Sequence, residues 1–341
     1  MIGFDEALAL IEAAATPLDR ETVVLADAPG RVLAAPVVAG LDSPASDTSA
    51  MDGYAVREAE VAALPARLRV VGESFAGRGF DGRMGPGDCV RIFTGAPMPQ
   101  GADRVIIQEI VRRDGDMAVF GHALGGGRHV RAMGSDFRKG DILLEPGRRL
   151  DPRAMVAAAA ADRAAVEVWR RPRVVVLGTG DELAEPGTAA GIPGAIPESV
   201  SFGVAALIAQ YGGEVVTRRR LPDDPQALEA AAAEALDEAD LVVVTGGASV
   251  GEKDYARAMF GPAGLELVLS KVAIKPGKPV WLGRARGKLV LGLPGNPTSA
   301  MVTGRLFLAP LVAGLSGETA GAALGWRPAR LVLDKGPAGQ L

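Results

Sequence analysis

The residues best suited to chemistry occur in glycine-rich loops in the second half of the chain. One loop, GTGDEL, follows the apolar segment Arg173–Leu177 and supplies both glycines and carboxylates. Glycine lets backbone N–H groups approach a ligand closely, and carboxylates near a phosphate commonly bind Mg²⁺. A plain turn before a helix explains this loop about as well. The candidates are Gly178, Thr179 and Gly180 for a ligand, and Asp181 and Glu182 for a metal ion.

A second loop, TGGASVGEKDY at 245–255, is more specific because it follows the apolar segment Leu241–Thr245. Several glycines at the start of a helix leave free N–H groups that can bind a phosphate. A plain strand-to-helix loop seldom needs so many glycines, so the sequence favours a phosphate-type ligand. The candidates are Gly246, Gly247, Ser249 and Gly251 for the ligand, and Asp254 for a metal ion.

Three lysines lie close together in the segment KVAIKPGKP at 271–279. If this segment is extended, Lys271 and Lys275 lie on the same face. The proline and glycine stiffen the turn, so the lysines suit a cationic pocket for oxyanions. A solvated basic turn is the simpler alternative. Lys278 is the third candidate in this segment.

A third glycine-rich loop, GLPGNPTS at 292–299, joins an apolar segment to the start of a helix. An N-cap at Asn296 with Pro297 at the first helical position accounts for this loop by itself. As the third such loop at one sheet edge, it is also a candidate for phosphate or pterin contacts. The candidates are Pro294, Gly295, Asn296 and Ser299.

The first half of the chain adds three polar candidates in turn-like stretches. Asp52 lies in SDTSAMDGYAV at 46–56 and precedes a glycine. Asp-Gly is a common hairpin pair, so Asp52 is either a turn former or a working carboxylate. Thr94, in the rigid loop RIFTGAPMPQGAD, and Asp136, in GSDFRKGD, are the other two candidates, and simple turn chemistry is the alternative for each.

Two adjacent acids, Asp223 and Asp224, open a predicted helix whose first residue is Pro225. N-capping needs only one of them, and Asp224 is in the right position. Asp223 therefore joins the acids of the first two loops as a candidate Mg²⁺ ligand.

These loops need a sheet that brings them together. From Arg173 onward the sequence alternates apolar strands with helices, which predicts a mostly parallel sheet with helices on both faces. Ligands bind such sheets beyond the carboxyl ends of the strands. The predicted strands are 173–177, 214–218, 241–245, 279–283 and 288–292, and the predicted helices are 199–211, 224–238 and 297–313.

The first half is irregular. A helical period at 4–15 gives way to short valine-rich segments between turn clusters, which predicts a small β-rich domain. An alanine-rich, helix-like run returns at 151–165.

Composition narrows the class of protein. A length of 341 residues predicts two or three domains, and a net charge of −4 argues against general nucleic-acid binding. The single cysteine, Cys89, excludes an internal disulfide, and with only two histidines a zinc site is not expected. We expect a cytoplasmic protein, because the N-terminus is acidic and no apolar run reaches the roughly 18–20 residues of a membrane span.

Six motifs in order resemble the molybdopterin molybdenumtransferase family, which includes MoeA and the gephyrin E-domain. They are SAMDGYAV, RIFTGAPMPQGAD, GTGDEL, TGGASVGEKDY, KVAIKPGKP and GLPGNPTSA. The likeness runs from about residue 4 to 314. It implies insertion of molybdenum from molybdate into adenylylated molybdopterin, with Mg²⁺-dependent release of AMP. It also implies a homodimer whose site is shared between subunits, with a molybdopterin adenylyltransferase and target molybdoenzymes as further partners.

The resemblance also implies a multi-domain α/β plus β fold. An elongated N-terminal linker and dimerisation domain would comprise 1–52 and 131–170, with a β-rich domain inserted at 53–130. A three-layer α/β/α, MogA-like molybdopterin-binding domain would cover 171–314. Residues 315–341 would begin a C-terminal β domain that is largely absent. The implied catalytic residues are Asp52, Asp136, Asp223, Lys271 and Lys275, and Thr94 is an implied cofactor contact.

Two departures from the family pattern concern function. Thr48 stands where the family usually has Asn, and Glu198-Ser199-Val200 replaces Asp-Ser-Asn. Loss of the second Asn side chain would weaken nucleotide or pterin contacts. The alternative is therefore a relative that binds molybdopterin or molybdate with weak or no insertion activity. A molybdopterin adenylyltransferase is disfavoured because that enzyme is essentially the α/β domain alone.

Overall fold

The computed structural model describes residues 1–123, 125–246 and 255–330. The chain divides into two compact units. The first unit comprises Met1–Pro36, Glu145–Val156 and Ala164–Leu341, and the second comprises Val37–Leu144 and Ala157–Arg163.

Twenty strands and seven α-helices lie in the part of the chain that the structure describes. The strands are β1 Arg20–Val24, β2 Val37–Val38, β3 Thr48–Ser49, β4 Gly53–Val56, β5 Ala66–Ser74, β6 Asp88–Ile92, β7 Arg104–Ile107, β8 Val111–Asp114, β9 Met117–Phe120, β10 Val130–Arg131, β11 Ile142–Leu144, β12 Ala165–Trp169, β13 Arg173–Thr179, β14 Leu183–Ala184, β15 Ile196–Pro197, β16 Glu214–Leu221, β17 Leu241–Thr245, β18 Glu266–Ser270, β19 Trp281–Ala285 and β20 Lys288–Leu293. The helices are α1 Phe4–Ala14, α2 Pro152–Ala160, α3 Val200–Gln210, α4 Pro225–Glu238, α5 Tyr255–Ala258, α6 Pro297–Thr303 and α7 Ala309–Leu315.

The first unit is built on a six-stranded sheet in the order β16-β13-β17-β20-β19-β18. The four strands from β16 to β20 are parallel, and β19 runs antiparallel to both of its neighbours. Gly178 of β13 pairs with Thr245 of β17, which pairs in turn with Leu293 of β20. Three loops that contain candidate residues therefore leave the sheet at the same carboxyl edge.

Apolar side chains cover both faces of this sheet. Val174 and Val176 of β13 pack into one core with α1, α3, α6 and α7. Val175 and Leu177 pack into a second core with α4 and α5. Successive residues of a strand point to opposite faces, so a strand buried on both sides is an unbroken apolar run.

Two helix starts confirm the capping predictions. The Asp224 carboxylate accepts a hydrogen bond from the Ala227 N–H at 2.8 Å, and the Asn296 amide oxygen accepts one from the Ser299 N–H at 3.2 Å. Each cap is followed by a proline at the first helical position. The prolines have no N–H to leave unsatisfied there, so both loops end in rigid helix starts.

The helical stretch Pro297–Leu315 combines α6, a π-helical turn at Gly304–Leu308 and α7. By length and composition alone it could cross a membrane, but 67% of its apolar window is buried inside the protein. Burial of this kind is what the core helix of a domain shows. Phe307, Leu308 and Leu311 of this stretch are fully buried in the core with α1.

The second unit contains another six-stranded sheet, in the order β7-β4-β6-β5-β9-β8. Its neighbouring strands are antiparallel except for the parallel pair β5 and β6. Tyr54 lies in the apolar core, where its ring meets the edge of Phe120 at 6.2 Å between centroids. Met51 is 40% exposed, so the tyrosine anchors the start of β4 and the methionine does not.

The lysine segment corrects one expectation. Residues 271–279 are not extended, because β18 ends at Ser270 and the chain then forms turns. Lys271 has a φ of +60°. Its N–H donates a hydrogen bond to the carbonyl oxygen of Val280, and the Val272 N–H donates one to the carbonyl oxygen of Lys278. The condition under which Lys271 and Lys275 would share one face, an extended segment, is therefore not met. The Pro-Gly pair closes a turn here, as the sequence predicts.

Candidate active site

A cavity of about 540 Å³ opens at the carboxyl edge of the sheet in the first unit. It lies beyond the ends of β13 and β17 and beside the loop that follows β20, where parallel sheets bind ligands. The described residues that line it are Thr179, Gly180, Glu182, Leu183, Ile196, Pro197, Glu198, Ser199, Val200, Asp223, Thr245, Gly246, Tyr255, Gly295 and Pro297. The cavity thus gathers residues from all three predicted glycine-rich loops.

Two glycines allow these loops to approach each other. Gly246 has a φ of +91°, and a Cβ there would lie 2.4 Å from the carbonyl oxygen of Thr179. A Cβ at Gly295 would lie 3.1 Å from the Cα of Gly246. No other residue type fits at position 246 without moving the end of β13. The glycine in this loop is therefore required by the packing of the cavity wall as well as by the turn.

The Thr179 hydroxyl is a buried polar group in the wall of the cavity. Thr179 is 3% exposed, and its Oγ1 atom has no hydrogen-bond partner among the residues that the structure describes. A buried hydroxyl without a partner is unfavourable unless a ligand or water satisfies it.

Three of the predicted acids reach this edge, and one of these three has a structural function. The Asp181 carboxylate accepts a hydrogen bond from the Asp223 N–H at 3.0 Å and so ties the loop after β13 to the loop after β16. Glu182 and Asp223 line the cavity, whereas Asp181 does not.

Glu198 lines the cavity, although the sequence drew attention to it only as part of the Glu198-Ser199-Val200 departure and not as a site residue. It is 6% exposed, and its Oε1 atom accepts a hydrogen bond from the Ser201 N–H at 2.8 Å. Its Oε2 atom accepts one from the Ser201 hydroxyl and lies 3.6 Å from Nη1 of Arg218. The signal was present as Glu198-Ser199 before a predicted helix, but that pattern also fits an ordinary helix start.

Several other candidates do not line the cavity. Lys271 and Lys275 are exposed, and Lys278 is half-buried. At the start of α6, the Asn296 amide oxygen accepts hydrogen bonds from the N–H and the hydroxyl of Ser299, as the N-cap alternative predicts. Gly247, Ser249, Gly251 and Asp254 lie outside the described residues.

In the second unit, the structure brings Asp52 and Thr94 together. One carboxylate oxygen of Asp52 accepts hydrogen bonds from the Thr94 N–H at 2.7 Å and from its hydroxyl at 2.8 Å. These two bonds, aided by the nearby positive charge of Arg91, lower the pKa of Asp52. Asp52 is thus an ionised carboxylate that holds the loop of RIFTGAPMPQGAD against the start of β4.

Asp136 is held in an ion pair. Both of its carboxylate oxygens accept hydrogen bonds from Nη2 of Arg131, at 2.7 and 2.6 Å. Arg131 pairs with Thr48 across β10 and β3. The family departure at Thr48 is therefore a direct backbone neighbour of the residue that orients Asp136.

Two family models match successive parts of the chain. Residues 2–161 match the family model described as "MoeA N-terminal region (domain I and II)", and residues 175–314 match "Probable molybdopterin binding domain". The chain is 38% identical over 320 residues to the molybdopterin molybdenumtransferase of Haemophilus influenzae, covering 93% of this chain and 78% of that protein. A protein of the same name from Nostoc is 37% identical over 317 residues, covering 91% and 72%.

The chain belongs to the molybdopterin molybdenumtransferase family. A solved structure of the molybdopterin biosynthesis MoeA protein from Pyrococcus horikoshii matches with a TM-score of 0.80 and 30% identity, covering 93% of this chain and 80% of that one. The family consists of transferases of molybdenum cofactor biosynthesis, which confirms the resemblance carried by the six motifs.

The described acids do not form a metal site by themselves. Within residues 1–123, 125–246 and 255–330, no group of three or more His, Cys, Asp or Glu side chains is arranged to hold a metal ion. Mg²⁺ is usually bound through one or two carboxylates together with waters and substrate phosphates. Glu182 and Asp223 are the two predicted metal ligands that line the cavity.

Proposed function

We propose that this chain inserts molybdenum from molybdate into adenylylated molybdopterin and releases AMP. The observation that carries the proposal is the cavity at the carboxyl edge, where three loops of the family's motifs meet around Gly246. Its volume of about 540 Å³ suits a ligand of cofactor size.

The reaction has two parts. Molybdate forms two bonds to the dithiolene sulfurs and loses one oxygen as water, which takes up the two thiol protons. A second water cleaves the phosphoanhydride, giving AMP and the phosphate that stays on molybdopterin. The glycine-rich turns bring backbone N–H groups to the substrate phosphates, which carry negative charge. Mg²⁺, bound by Glu182 and Asp223 together with phosphate oxygens, would offset part of that charge.

The family resemblance supports further assignments that stay proposals. Lys271 and Lys275 would attract molybdate, and Asp52 and Asp136 would contribute from the second unit. Because these residues do not line the cavity, we propose a homodimer in which the site is shared between subunits. The molybdopterin adenylyltransferase and target molybdoenzymes are proposed as transient partners, and the cytoplasm as the compartment. Elongated N-terminal domains and a three-layer α/β/α domain belong to the same proposal.

Turnover tests the proposal directly. Purified protein is mixed with adenylylated molybdopterin, molybdate and Mg²⁺, and AMP and dithiolene-bound molybdenum are quantified together. We expect one AMP for each molybdenum inserted, and no AMP release when Mg²⁺ is chelated. AMP release without molybdenum insertion would contradict the proposal.

One observation favours the second candidate, a binding relative with little insertion activity. Val200, at the position where the family usually has Asn, is 8% exposed and packs into the core with α3. The valine side chain has no group that can form a hydrogen bond to a ligand in the cavity. Tight binding of adenylylated molybdopterin without AMP release would identify this second candidate.

A further inference from the structure

We propose that Glu198 selects the heterocycle bound in the cavity. Its carboxylate would accept two N–H groups from the edge of a 2-amino-4-oxo pyrimidine ring, the edge that a pterin presents. This inference rests on the proposed function, since it concerns which end of the substrate lies where in the same cavity.

Glu198 is a buried charge in the cavity wall. It is 6% exposed, and no other acid of the described cavity lining is classed with the buried residues. Its backbone is fixed by two backbone hydrogen bonds. The Glu198 N–H donates to the carbonyl oxygen of Ala184 at 2.8 Å, and the Ile196 N–H donates to the carbonyl oxygen of Glu182 at 2.8 Å. A carboxylate held in this way is oriented before any ligand arrives, which strengthens recognition.

The side chain is also fixed, yet it keeps capacity to accept. Ser201 donates to Glu198 from both its N–H and its hydroxyl. Arg218 donates to the same Ser201 hydroxyl at 3.0 Å, and its guanidinium stacks on Phe202 at 3.4 Å. A carboxylate can accept about four hydrogen bonds, so two acceptor positions are left after Ser201 has donated.

Charge decides which part of the substrate meets Glu198. The Glu198 carboxylate repels a phosphate, because both are negatively charged, whereas it attracts a pair of adjacent N–H donors. The 2-amino-4-oxo ring edge carries two donors side by side, like a guanidinium, and carboxylates bind that pattern with two parallel hydrogen bonds. The substrate phosphates would then face the turns at Gly246 and Gly295, which line the same cavity.

The competing explanation is that Glu198 only stabilises the start of α3, since it accepts from the Ser201 N–H. If the carboxylate is purely structural, replacing it would change the affinity for all ring systems equally. A recognition carboxylate discriminates between pterin and lumazine, which has a carbonyl oxygen in place of the 2-amino group. The oxygen removes one donor and faces the carboxylate with an acceptor.

The test compares the affinities of pterin and lumazine by fluorescence titration for the wild type, Glu198→Gln and Ser201→Ala. We expect the wild type to prefer pterin by on the order of tenfold or more, as for hydrogen bonds to a charged group. Glu198→Gln should reduce the preference to roughly threefold or less, because one acceptor becomes a donor. Ser201→Ala, which keeps the carboxylate, should preserve the preference even if the melting temperature falls.

Three results would overturn the inference. They are a wild-type preference near one, an unchanged preference in Glu198→Gln, and an equal loss of both ligands in that variant. The first needs no variant, so the inference stays testable if Glu198→Gln does not fold. A wild type that prefers pterin but releases no AMP from adenylylated molybdopterin would refute the proposed function alone.

Discussion

The two edges of the sheet in the first unit differ in what their polar groups do. At the carboxyl edge, the loops after β13, β17 and β20 surround a cavity of about 540 Å³, and Thr179 keeps an unpartnered hydroxyl among the described residues. At the amino edge, Asp240 precedes β17 and its carboxylate is fully engaged. It accepts from both terminal nitrogens of Arg170, at 2.9 and 3.0 Å, and from the Arg173 N–H at 2.9 Å.

This difference shows how one sheet separates stability from binding. Burial alone would raise the pKa of Asp240, but the hydrogen bonds from Arg170 and Arg173 lower it. The carboxylate is therefore ionised and committed to the fold. A smaller concavity of about 370 Å³ beside Asp240 is lined by Arg284, Arg286 and Lys288, but glycine-rich loops after parallel strands occur only at the other edge of the described sheet.

The largest expected effect comes from filling the carboxyl edge. In Gly246→Ala the new methyl would lie 2.4 Å from the Thr179 carbonyl oxygen, so the end of β13 must move. We expect affinity for adenylylated molybdopterin to fall by on the order of a hundredfold, as for a displacement of about 1 Å in a binding site. Isothermal titration of the folded variant measures this loss.

A matched control exists at the amino edge. Gly287, in the turn between β19 and β20, has a φ of +75°, and a Cβ there would meet no atom within 4 Å. Gly287→Ala should destabilise the protein by about 1–2 kcal/mol through backbone strain and leave ligand affinity unchanged. Equal loss of affinity in both variants would contradict the division between the edges.

The second prediction concerns the ion pair at the amino edge. Arg170→Ala removes two charged hydrogen bonds from a carboxylate that is 14% exposed, so the free energy of unfolding should fall by about 1.5–3 kcal/mol. Ligand affinity should stay within about twofold of the wild type, because the change is remote from the cavity. Arg20→Ala, whose partner Glu167 is 41% exposed, is the control and should cost about 0–1 kcal/mol.

The pH dependence of that variant has a definite sign. The pKa of Asp240 is lower in the folded protein than in the unfolded chain, so its stabilising contribution is present above the unfolded pKa. It is lost as the pH falls through the lowered folded pKa. Denaturant melts of the wild type and Arg170→Ala should therefore converge in acid, and a difference that grows toward low pH would be inconsistent with the pair.

The smallest effect is expected in the second unit, where Asp52 is half-buried and Thr94 donates two hydrogen bonds to it. The lowered pKa of Asp52 means that its bonds to Thr94 persist until the pH falls below the usual range of an aspartate. The amide resonance of Thr94 should titrate at that low pH in the wild type and not at all in Asp52→Asn. Titration at an ordinary aspartate pKa would show that the two hydrogen bonds do not form in solution.

The sequence predicted the features that depend on local order. Each strand expected from Arg173 onward is present, because unbroken runs such as Leu241–Thr245 fit a strand buried on both faces. The caps at Asp224 and Asn296 were predictable because each cap precedes a proline. The β1–β12 pair was not, since four of the five residues of β1 are exposed and show no apolar alternation.

The candidate site was predictable only as a set of loops. The contact between Gly246 and Thr179 follows from the parallel register of their strands. The burial of Glu198 could not be predicted, because an acidic residue at the start of a helix is usually exposed to solvent. The Pro-Gly turn in the lysine segment was predictable, but the conformation of the residues before it was not, because such a turn can follow either an extended or an irregular stretch. Pairing between a strand residue and the turn that follows it, as between Arg131 and Asp136, leaves no periodic signal in the sequence.

Hydrogen–deuterium exchange with and without adenylylated molybdopterin tests the central claim most directly. We predict slower exchange in peptides covering 178–183, 196–201 and 293–299, and unchanged exchange in peptides covering 170–174 and 284–289. Protection confined to the amino-edge peptides, with the carboxyl edge unaffected, would contradict the placement of the substrate in the cavity around Gly246.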